Sequence, residues 1–338
     1  MNHLSAPIYV GIDLTEKCNL RCLHCRVATS NDKQTELPLK IVKKLMNDLA
    51  KMRVIQIIFS GGEPFIRRDI YDILAYTIKS KIPDVSIVSN GTLLDDEAIS
   101  KLKKTGLKKI SLSLDGLKDN HDKIRGAGYF NKTINAIKKL VDSDFEVKVT
   151  ITLNKINKDD LIKLSKYLNR LGVKGIYAGN LMPCGRGKDI WEKSLTSKEK
   201  FKIRKEIQKL NKKLGYNFLF FGSSFLCEPK LDGSEKKIIS FLGCRGGRTA
   251  CYVLANGDVV ACKMLPQIVA GNIKKTSFKN VWTNDKYWNI WRKDSLYGKC
   301  KICEYGKACR GGCKAITYFV YNRFDLPDLR CLRKPKNS

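Results

Sequence analysis

Short runs of β-branched and aliphatic residues alternate with longer amphipathic stretches through the first 180 residues of the chain. The apolar runs predict six strands, at 8–14, 54–60, 85–89, 109–114, 146–153 and 175–181. Between the strands, apolar residues recur at helical spacing, as in Ile41, Leu45 and Leu49. This alternation predicts a parallel sheet whose strands are joined by right-handed crossover helices.

The pattern changes in the last third of the chain. A Lys-rich helical stretch over 196–214 is followed, beyond about residue 225, by a region dominated by Gly and Cys. Two strand-like pieces at 252–255 and 259–262 flank Asn256-Gly257, a typical hairpin turn. A small module with little apolar surface normally needs a metal to stay folded. We therefore predict two domains, a strand–helix domain over 5–215 and a Cys-rich domain over 225–338.

The composition indicates a globular, strongly basic protein. Of the 338 residues 43% are apolar, and 64 Lys and Arg against 33 Asp and Glu give a net charge of +31. Such a charge is compatible with a nucleic-acid binder, a membrane-surface protein or an enzyme for acidic substrates. The lysines are spread in pairs over predicted helix faces, which favours a solvated surface. Electrostatic attraction of an anionic substrate is the alternative.

Thirteen cysteines would indicate disulfides in a secreted protein. However, residues 1–6 lack a basic segment followed by an apolar one, and no apolar run reaches a membrane-spanning length. We therefore predict a cytoplasmic protein with neither a membrane nor a nucleic-acid partner, in which clustered cysteines bind metal.

Three of the cysteines lie in one loop directly after the first predicted strand. Cys18, Cys22 and Cys25 have the spacing Cys-x3-Cys-x2-Cys. Three thiolates are one fewer than the four ligands that close an iron–sulfur cluster, which leaves one iron open for a reacting molecule. Zinc is the alternative, although no fourth ligand follows nearby.

This loop, together with Gly61-Gly62-Glu63-Pro64 after the second strand, resembles the radical S-adenosylmethionine (SAM) superfamily. In that superfamily SAM chelates the open iron and is cleaved reductively to a 5'-deoxyadenosyl radical. The resemblance implies a partial (β/α)6 TIM-like barrel with its chemistry at the carboxyl ends of the strands, joined to a small Cys-rich domain. A doubly wound open sheet is the alternative fold.

The resemblance also implies roles for single residues. Gly62 and Glu63 would receive the SAM amino group, Ser113 would contact the ribose, and Arg125 would bind the carboxylate through its guanidinium fork. His24 would stack beside the adenine. The alternatives are a simple turn at the double glycine, a surface salt bridge at Arg125 and a fourth metal ligand at His24. We expect Cys184 and Cys227 to be inert buried thiols.

The C-terminal cysteines resemble the SPASM domain, which carries auxiliary clusters in radical SAM enzymes. The resemblance implies one 4Fe-4S cluster on Cys244, Cys251, Cys262 and Cys313, and a second on Cys300, Cys303, Cys309 and Cys331. Two zinc ions in the same thiolate sites are the alternative. Sulfatase-maturing members carry an Asp after the third cysteine, where this chain has Lys263. The likeness therefore does not imply sulfatase maturation.

We thus expect a radical SAM oxidoreductase that abstracts hydrogen and oxidatively modifies a peptide, with SAM and three 4Fe-4S clusters as cofactors. Tetrapyrrole, heme or other cofactor side chains are the alternative substrates, and their anionic propionates would suit a positive protein. Expected partners are an electron donor such as ferredoxin or flavodoxin and, for a peptide, a separate leader-binding protein. A non-catalytic iron–sulfur electron carrier and a zinc-scaffolded nucleic-acid binder are the alternatives of another class.

Overall fold

The structure is a computed structural model that describes residues 4–29, 32–33, 35–222, 243–293 and 296–331. In these ranges ten strands form one sheet in the order β10-β9-β8-β1-β2-β3-β4-β5-β6-β7. The strands are β1 (Tyr9–Asp13), β2 (Gln56–Ser60), β3 (Asp84–Ser89), β4 (Lys109–Ser113), β5 (Glu146–Leu153), β6 (Gly175–Asn180), β7 (Leu219–Phe221), β8 (Ala250–Val253), β9 (Asp258–Val260) and β10 (Val269–Asn272). Cys227 lies outside the described residues.

The first seven strands are parallel neighbours in chain order, as the alternating pattern predicts. All six predicted strands are present as β1 to β6, with ends that differ by at most two residues. The sheet is open and does not close, which agrees with the expected partial barrel. Parallel strands place their carboxyl ends on one edge, so the loops after β1 to β6 converge there.

The helices are α1 (Leu39–Lys51), α2 (Ile70–Lys79), α3 (Asp96–Lys104), α4 (Lys118–Arg125), α5 (Tyr129–Asp142), α6 (Leu161–Arg170), α7 (Ser197–Leu214), α8 (Phe278–Thr283), α9 (Asp285–Arg292), α10 (Gly306–Cys309) and α11 (Lys314–Tyr321). In the described part of the chain, none is long and apolar enough to cross a bilayer.

Helix boundaries follow local sequence signals. In α7 the Thr196 side chain accepts from the backbone N–H of Glu199, and the Glu199 side chain accepts in return from the backbone N–H of Thr196. Gly215, with φ of 78°, ends the same helix. In α1 the buried positions are Val42, Leu45, Met46 and Leu49, an i, i+3, i+4, i+7 face that packs into the core.

The C-terminal region joins the sheet of the first domain instead of standing apart from it. Strand β8 pairs in parallel with β1, with Val10 opposite Cys251, and then forms the predicted hairpin with β9. Strands β7 and β10 form the two edges of the sheet and are three and four residues long. The apolar pattern did not predict them. Short strands of this length carry too little periodic signal to be recognised. The domain boundaries at 215 and 225 stay a prediction.

Candidate functional site

The three-cysteine loop follows β1 at the carboxyl edge of the sheet. Cys18 and Cys22 are buried and Cys25 is half-buried. Burial raises the pKa of the Cys18 thiol to about 11. At Cys25 burial also acts to raise the pKa, but hydrogen bonds with Thr29 hold it below the ordinary value. Neighbouring thiols influence one another electrostatically, so the loop gathers the predicted ligand set.

The double glycine after β2 packs against this loop. The Gly62 N–H donates to the Thr15 carbonyl oxygen at 2.7 Å, and a Cβ on Gly62 would overlap the Lys17 carbonyl. Gly61 has φ of +137°, and a Cβ on it would overlap the Thr15 carbonyl oxygen. Both glycines therefore allow the backbone of the cysteine loop to approach closely.

Glu63 is almost fully buried and is held by donors at the end of β3. Its carboxylate accepts from Ser89 Oγ at 2.8 Å, from the Asn90 N–H at 2.7 Å and from the Phe65 N–H at 3.2 Å. Burial nevertheless raises its pKa to about 7. Gly62 lines the adjoining cavity and Glu63 does not, so a SAM contact by the Glu63 side chain stays a prediction.

Asn90 also ties the end of β3 to the cysteine loop. Its side-chain amide donates to Asn19 Oδ1 at 2.9 Å, and the Asn19 amide donates to Thr92 Oγ1 at 2.8 Å. The segment Ser89 to Thr92 therefore fixes the loop between Cys18 and Cys22.

Asp115 is a buried carboxylate that contacts two cationic or ionisable side chains of the site. Its fully buried carboxylate contacts His24 Nε2 at 2.6 Å and Arg125 Nε at 2.5 Å, and accepts from the Thr152 N–H at 2.6 Å. Although burial opposes ionisation, Arg125 and His24 hold the pKa of Asp115 well below its usual range. Arg125 Nη1 in turn donates to Cys22 Sγ at 3.7 Å. The Arg125 ion pair is buried and is not a surface salt bridge.

The sequence alone assigns no role to Asp115, because nothing local shows that His24, 91 residues earlier, reaches its carboxylate. The contact does not exclude His24 from an adenine pocket, because the imidazole also lines the cavity described next.

Two adjoining cavities open at this edge. The cysteine cavity, of about 460 Å³, is lined by all three loop cysteines and by Ser113, and it extends to Met264 of the C-terminal region. The junction cavity, of about 410 Å³, lies between the sheet edge and that region. The residues that line both cavities are Arg26, Val27, Thr29, Gly61 and Met264. Volumes of this size suit small-molecule sites.

Lys263 reaches from the C-terminal region to the first strands. Its buried Nζ donates to Asp13 Oδ1 and to Ser60 Oγ, both at 2.7 Å, and Ser60 Oγ donates to the same Asp13 oxygen at 2.6 Å. Burial lowers the pKa of Lys263 to about 8, although Asp13 stabilises its charged form. The sequence offered no indication of this burial.

The two predicted auxiliary sets differ in how completely they assemble. Burial, and then the Cys313 and Cys244 thiols, raise the pKa of Cys262, so these three lie together. Cys251 is buried in the hydrophobic core on β8, and its charged neighbour among the described residues is Arg292.

In the second predicted set, burial raises the pKa of Cys300 to about 11, and the thiols of Cys309, Cys331 and Cys303 contribute to the shift. These four cysteines therefore lie within electrostatic reach of one another, and their role as one ligand set stays a prediction. Cys184 is buried, as expected of an inert thiol, and lines the junction cavity.

These donor sets consist of cysteine thiols, the ligands that hold iron–sulfur clusters. Thiolates also bind zinc, at about 2.3 Å from each sulfur. Within the part of the chain that the structure describes, no three Cys, His, Asp or Glu side chains are gathered closely enough to hold one metal ion.

Comparison with known families agrees with the motifs. A radical SAM superfamily profile matches residues 12–168, and an iron–sulfur cluster-binding domain profile, SPASM, matches residues 244–304. The chain is 32% identical to an AdoMet-dependent heme synthase from Methanosarcina barkeri, over 98% of both proteins. It is 29% identical to the mycofactocin maturase MftC from Mycolicibacterium smegmatis, over 97% of this chain and 83% of the maturase.

Solved structures show the same fold. SuiB from Streptococcus suis, bound to S-adenosylmethionine, aligns with a TM-score of 0.81 at 20% identity and covers 98% of this chain and 79% of its own. The anSMEcpe structure with bound AdoMet aligns with a TM-score of 0.73 at 20% identity, over 96% of this chain and 93% of that protein. With three thiols at an open sheet edge beside a cavity, and with a Cys-rich C-terminal region, the chain belongs to the radical SAM superfamily, carries a SPASM domain, and uses SAM and 4Fe-4S clusters as cofactors.

Proposed function

We propose that this enzyme oxidatively modifies the carboxylate-bearing side chains of a tetrapyrrole. The observation that carries this proposal is the identity of 32% with a heme synthase, which extends over 98% of both chains. A second relative from Methanosarcina barkeri, an Fe-coproporphyrin III synthase, matches 96% of this chain at 26% identity. The substrate that the sequence placed second therefore becomes the first to test.

The cavity residues support an anionic substrate. Arg26 and Lys188 are exposed toward the junction cavity, and Lys263 adds a third cation there, against the carboxylates of Asp13 and Glu16. Asp13 is already paired with Lys263. The two positive charges of Arg26 and Lys188 therefore face one remaining negative charge, that of Glu16, which leaves a net charge of +1 in the lining. A propionate entering from the C-terminal side would approach these cations.

Each part of the chain has a proposed role. The bound cluster and SAM supply an electron and the radical that abstracts hydrogen. Cys18, Cys22 and Cys25 would hold the core cluster, while Gly62, Ser113 and Arg125 border the cavity for SAM. The C-terminal sets, Cys244, Cys251, Cys262 and Cys313 with Cys300, Cys303, Cys309 and Cys331, would hold auxiliary clusters that take up the substrate electron. An external donor such as ferredoxin or flavodoxin would start each cycle.

A peptide is the second candidate substrate. It is supported by the mycofactocin maturases, which match 97% or 98% of this chain at 28% to 29% identity. In that case a separate leader-binding protein would be an additional partner. We also propose a cytoplasmic location, because all the cysteines in the described ranges are free thiols.

The test is a substrate comparison with anaerobically reconstituted enzyme, SAM and a strong reductant. Iron coproporphyrin III and a peptide substrate of a mycofactocin maturase are offered separately. We expect the tetrapyrrole, and not the peptide, to stimulate 5'-deoxyadenosine formation and to change mass. Modification of the peptide alone would contradict the tetrapyrrole as substrate and support the peptide. SAM cleavage without modification of either would contradict both substrates but not the radical chemistry.

A further inference from the structure

The segment that follows β6 lies directly on the cysteine loop. Residues 185–188 form a short 3-10 helix in which Gly185 has φ of +54°. A Cβ at Gly185 would overlap the carbonyl oxygen of Cys25, so only glycine allows this approach. The close contact lets the Arg186 N–H donate to the Cys25 carbonyl oxygen at 2.9 Å.

The Arg186 side chain holds the same loop at two further points. Its Nε donates to the Cys22 carbonyl oxygen and its Nη1 to the Thr29 carbonyl oxygen, both at 2.9 Å. One residue therefore fixes three carbonyl groups of the loop from a position more than 150 residues away in the chain. A rigid guanidinium fork suits such a contact, because its donors are set at fixed angles.

Arg186 has no carboxylate partner in the described part of the chain. No ion pair joins it to an acidic side chain there, and its Nη2 is buried without a hydrogen-bond partner. Arg125, by contrast, is paired with Asp115. A half-buried cation without a counter-charge is costly, so a counter-charge is expected close by.

Arg186 binds the carbonyl oxygens of two of the loop cysteines, Cys22 and Cys25, so the thiols of these residues lie close to its charge. At Cys22, the positive charges of Arg125 and Arg186 oppose the rise of the pKa that burial causes. At Cys25, Thr29, the Val27 backbone and Arg186 together oppose the effect of burial on the pKa. The guanidinium therefore lies within electrostatic reach of two of the three predicted ligands of the core cluster.

We propose that Arg186 is a positioning residue for the core cluster, whose thiolate ligands are its counter-ion. By holding the carbonyls of Cys22, Cys25 and Thr29 it sets the spacing of the ligands before the cluster is inserted. Its unbalanced charge then stabilises the reduced cluster, because net charge and hydrogen bonds around the sulfurs set the potential. This inference rests on the core cluster and not on the identity of the substrate.

The electrostatic part is tested with Arg186→Gln and Arg186→Lys in anaerobic redox titrations followed by electron paramagnetic resonance. The core-cluster signal is identified by its change on addition of SAM. We expect the midpoint potential to become more negative in Arg186→Gln and to stay closer to the wild type in Arg186→Lys, which keeps the charge. Equal potentials in wild type and Arg186→Gln would overturn the electrostatic role.

The positioning part is tested without cofactor, by hydrogen exchange of the apoprotein. Both variants should exchange amides of residues 22–29 faster than the wild type, because neither retains the fork, while exchange in β3 to β5 is unchanged. The matched control is Lys193→Gln, since Lys193 is an exposed cation seven residues further along the chain, paired with Glu192. Unchanged loop exchange in both variants would overturn the positioning role even if neither variant accepts a cluster.

Discussion

Two buried carboxylates at the carboxyl edge of the sheet differ in the direction of their pKa shifts. Asp115 and Glu63 are both fully buried carboxylates, yet Asp115 faces two cations while Glu63 faces only neutral donors. The pKa of Asp115 is therefore held low and that of Glu63 is raised to about 7. The partner, more than the burial, decides the protonation state.

Glu63 should make stability depend on pH. Its folded pKa of about 7 exceeds the ordinary value of 4.5, so its contribution is largest below pH 4.5 and is lost as the pH rises toward 7. We expect the unfolding free energy of the apoprotein to fall more steeply from pH 5 to pH 7.5 in the wild type than in Glu63→Gln. Urea denaturation at both pH values measures this. Parallel pH dependence in the two proteins would contradict the raised pKa.

Lys263 should stabilise the contact between the C-terminal region and β1. Lys263→Met leaves the Asp13 carboxylate buried without its cation, which we expect to cost about 3–5 kcal/mol, as for other broken buried pairs. Chemical denaturation of the reconstituted protein measures this loss. Lys101→Met, which removes an exposed ion pair with Glu97, is the control and should leave stability unchanged. A similarly small effect of Lys263→Met would show that water reaches Asp13.

At the scale of elements, β8 has two faces with different tasks. Tyr252 points toward Tyr9 and the Lys263 ammonium, on the side of the cavities. Cys251, one residue earlier, lies among the core residues beside Arg292. Because side chains alternate along a strand, Cys251 and Tyr252 cannot share one face. Cys251 therefore lies on the core face of β8, whereas Lys263 lies on the opposite face. Lys263 directly follows Cys262 in the chain.

Iron analysis of single variants decides whether Cys251 is a ligand. The sequence pattern predicts that Cys251→Ala loses about four irons, as Cys262→Ala should, if each auxiliary cluster is of the 4Fe-4S type. We expect equal losses in both variants, because the proposed first auxiliary set includes both thiols. Iron kept by Cys251→Ala but lost by Cys262→Ala would exclude Cys251 from that set, in keeping with its place in the hydrophobic core.

At the scale of the whole molecule, one continuous sheet joins the radical-forming and auxiliary parts. Strand β8 pairs with β1, the strand that leads into the cysteine loop, so the C-terminal region is hydrogen-bonded directly to the strand before that loop. Met264 and Cys313 of the C-terminal region line the cysteine cavity. The two regions therefore enclose the reaction site together.

Metal content tests this architecture as a whole. Three 4Fe-4S clusters correspond to about 12 iron and 12 sulfide per chain after anaerobic reconstitution. Replacing Cys18, Cys22 and Cys25 together by Ala should leave about 8 iron and abolish SAM cleavage. Iron and SAM-cleavage assays on the same preparations measure both. About 4 iron with bound zinc in the unmodified protein would contradict the auxiliary clusters.

The sequence by itself determined the elements and motifs whose information is local. Six strands follow from apolar runs, α7 follows from a Lys-rich helical stretch, and the resemblance to the cofactor family rests on cysteine spacing and Gly61-Gly62-Glu63-Pro64. Only the tertiary structure decided what joins over long separations: Asp115 with His24, Lys263 with Asp13 at 250 residues, Arg186 with the cysteine loop, and β8 with β1. Periodicity and spacing encode conformation over a few residues, whereas distant partners depend on the order of strands in the sheet, which no local pattern carries.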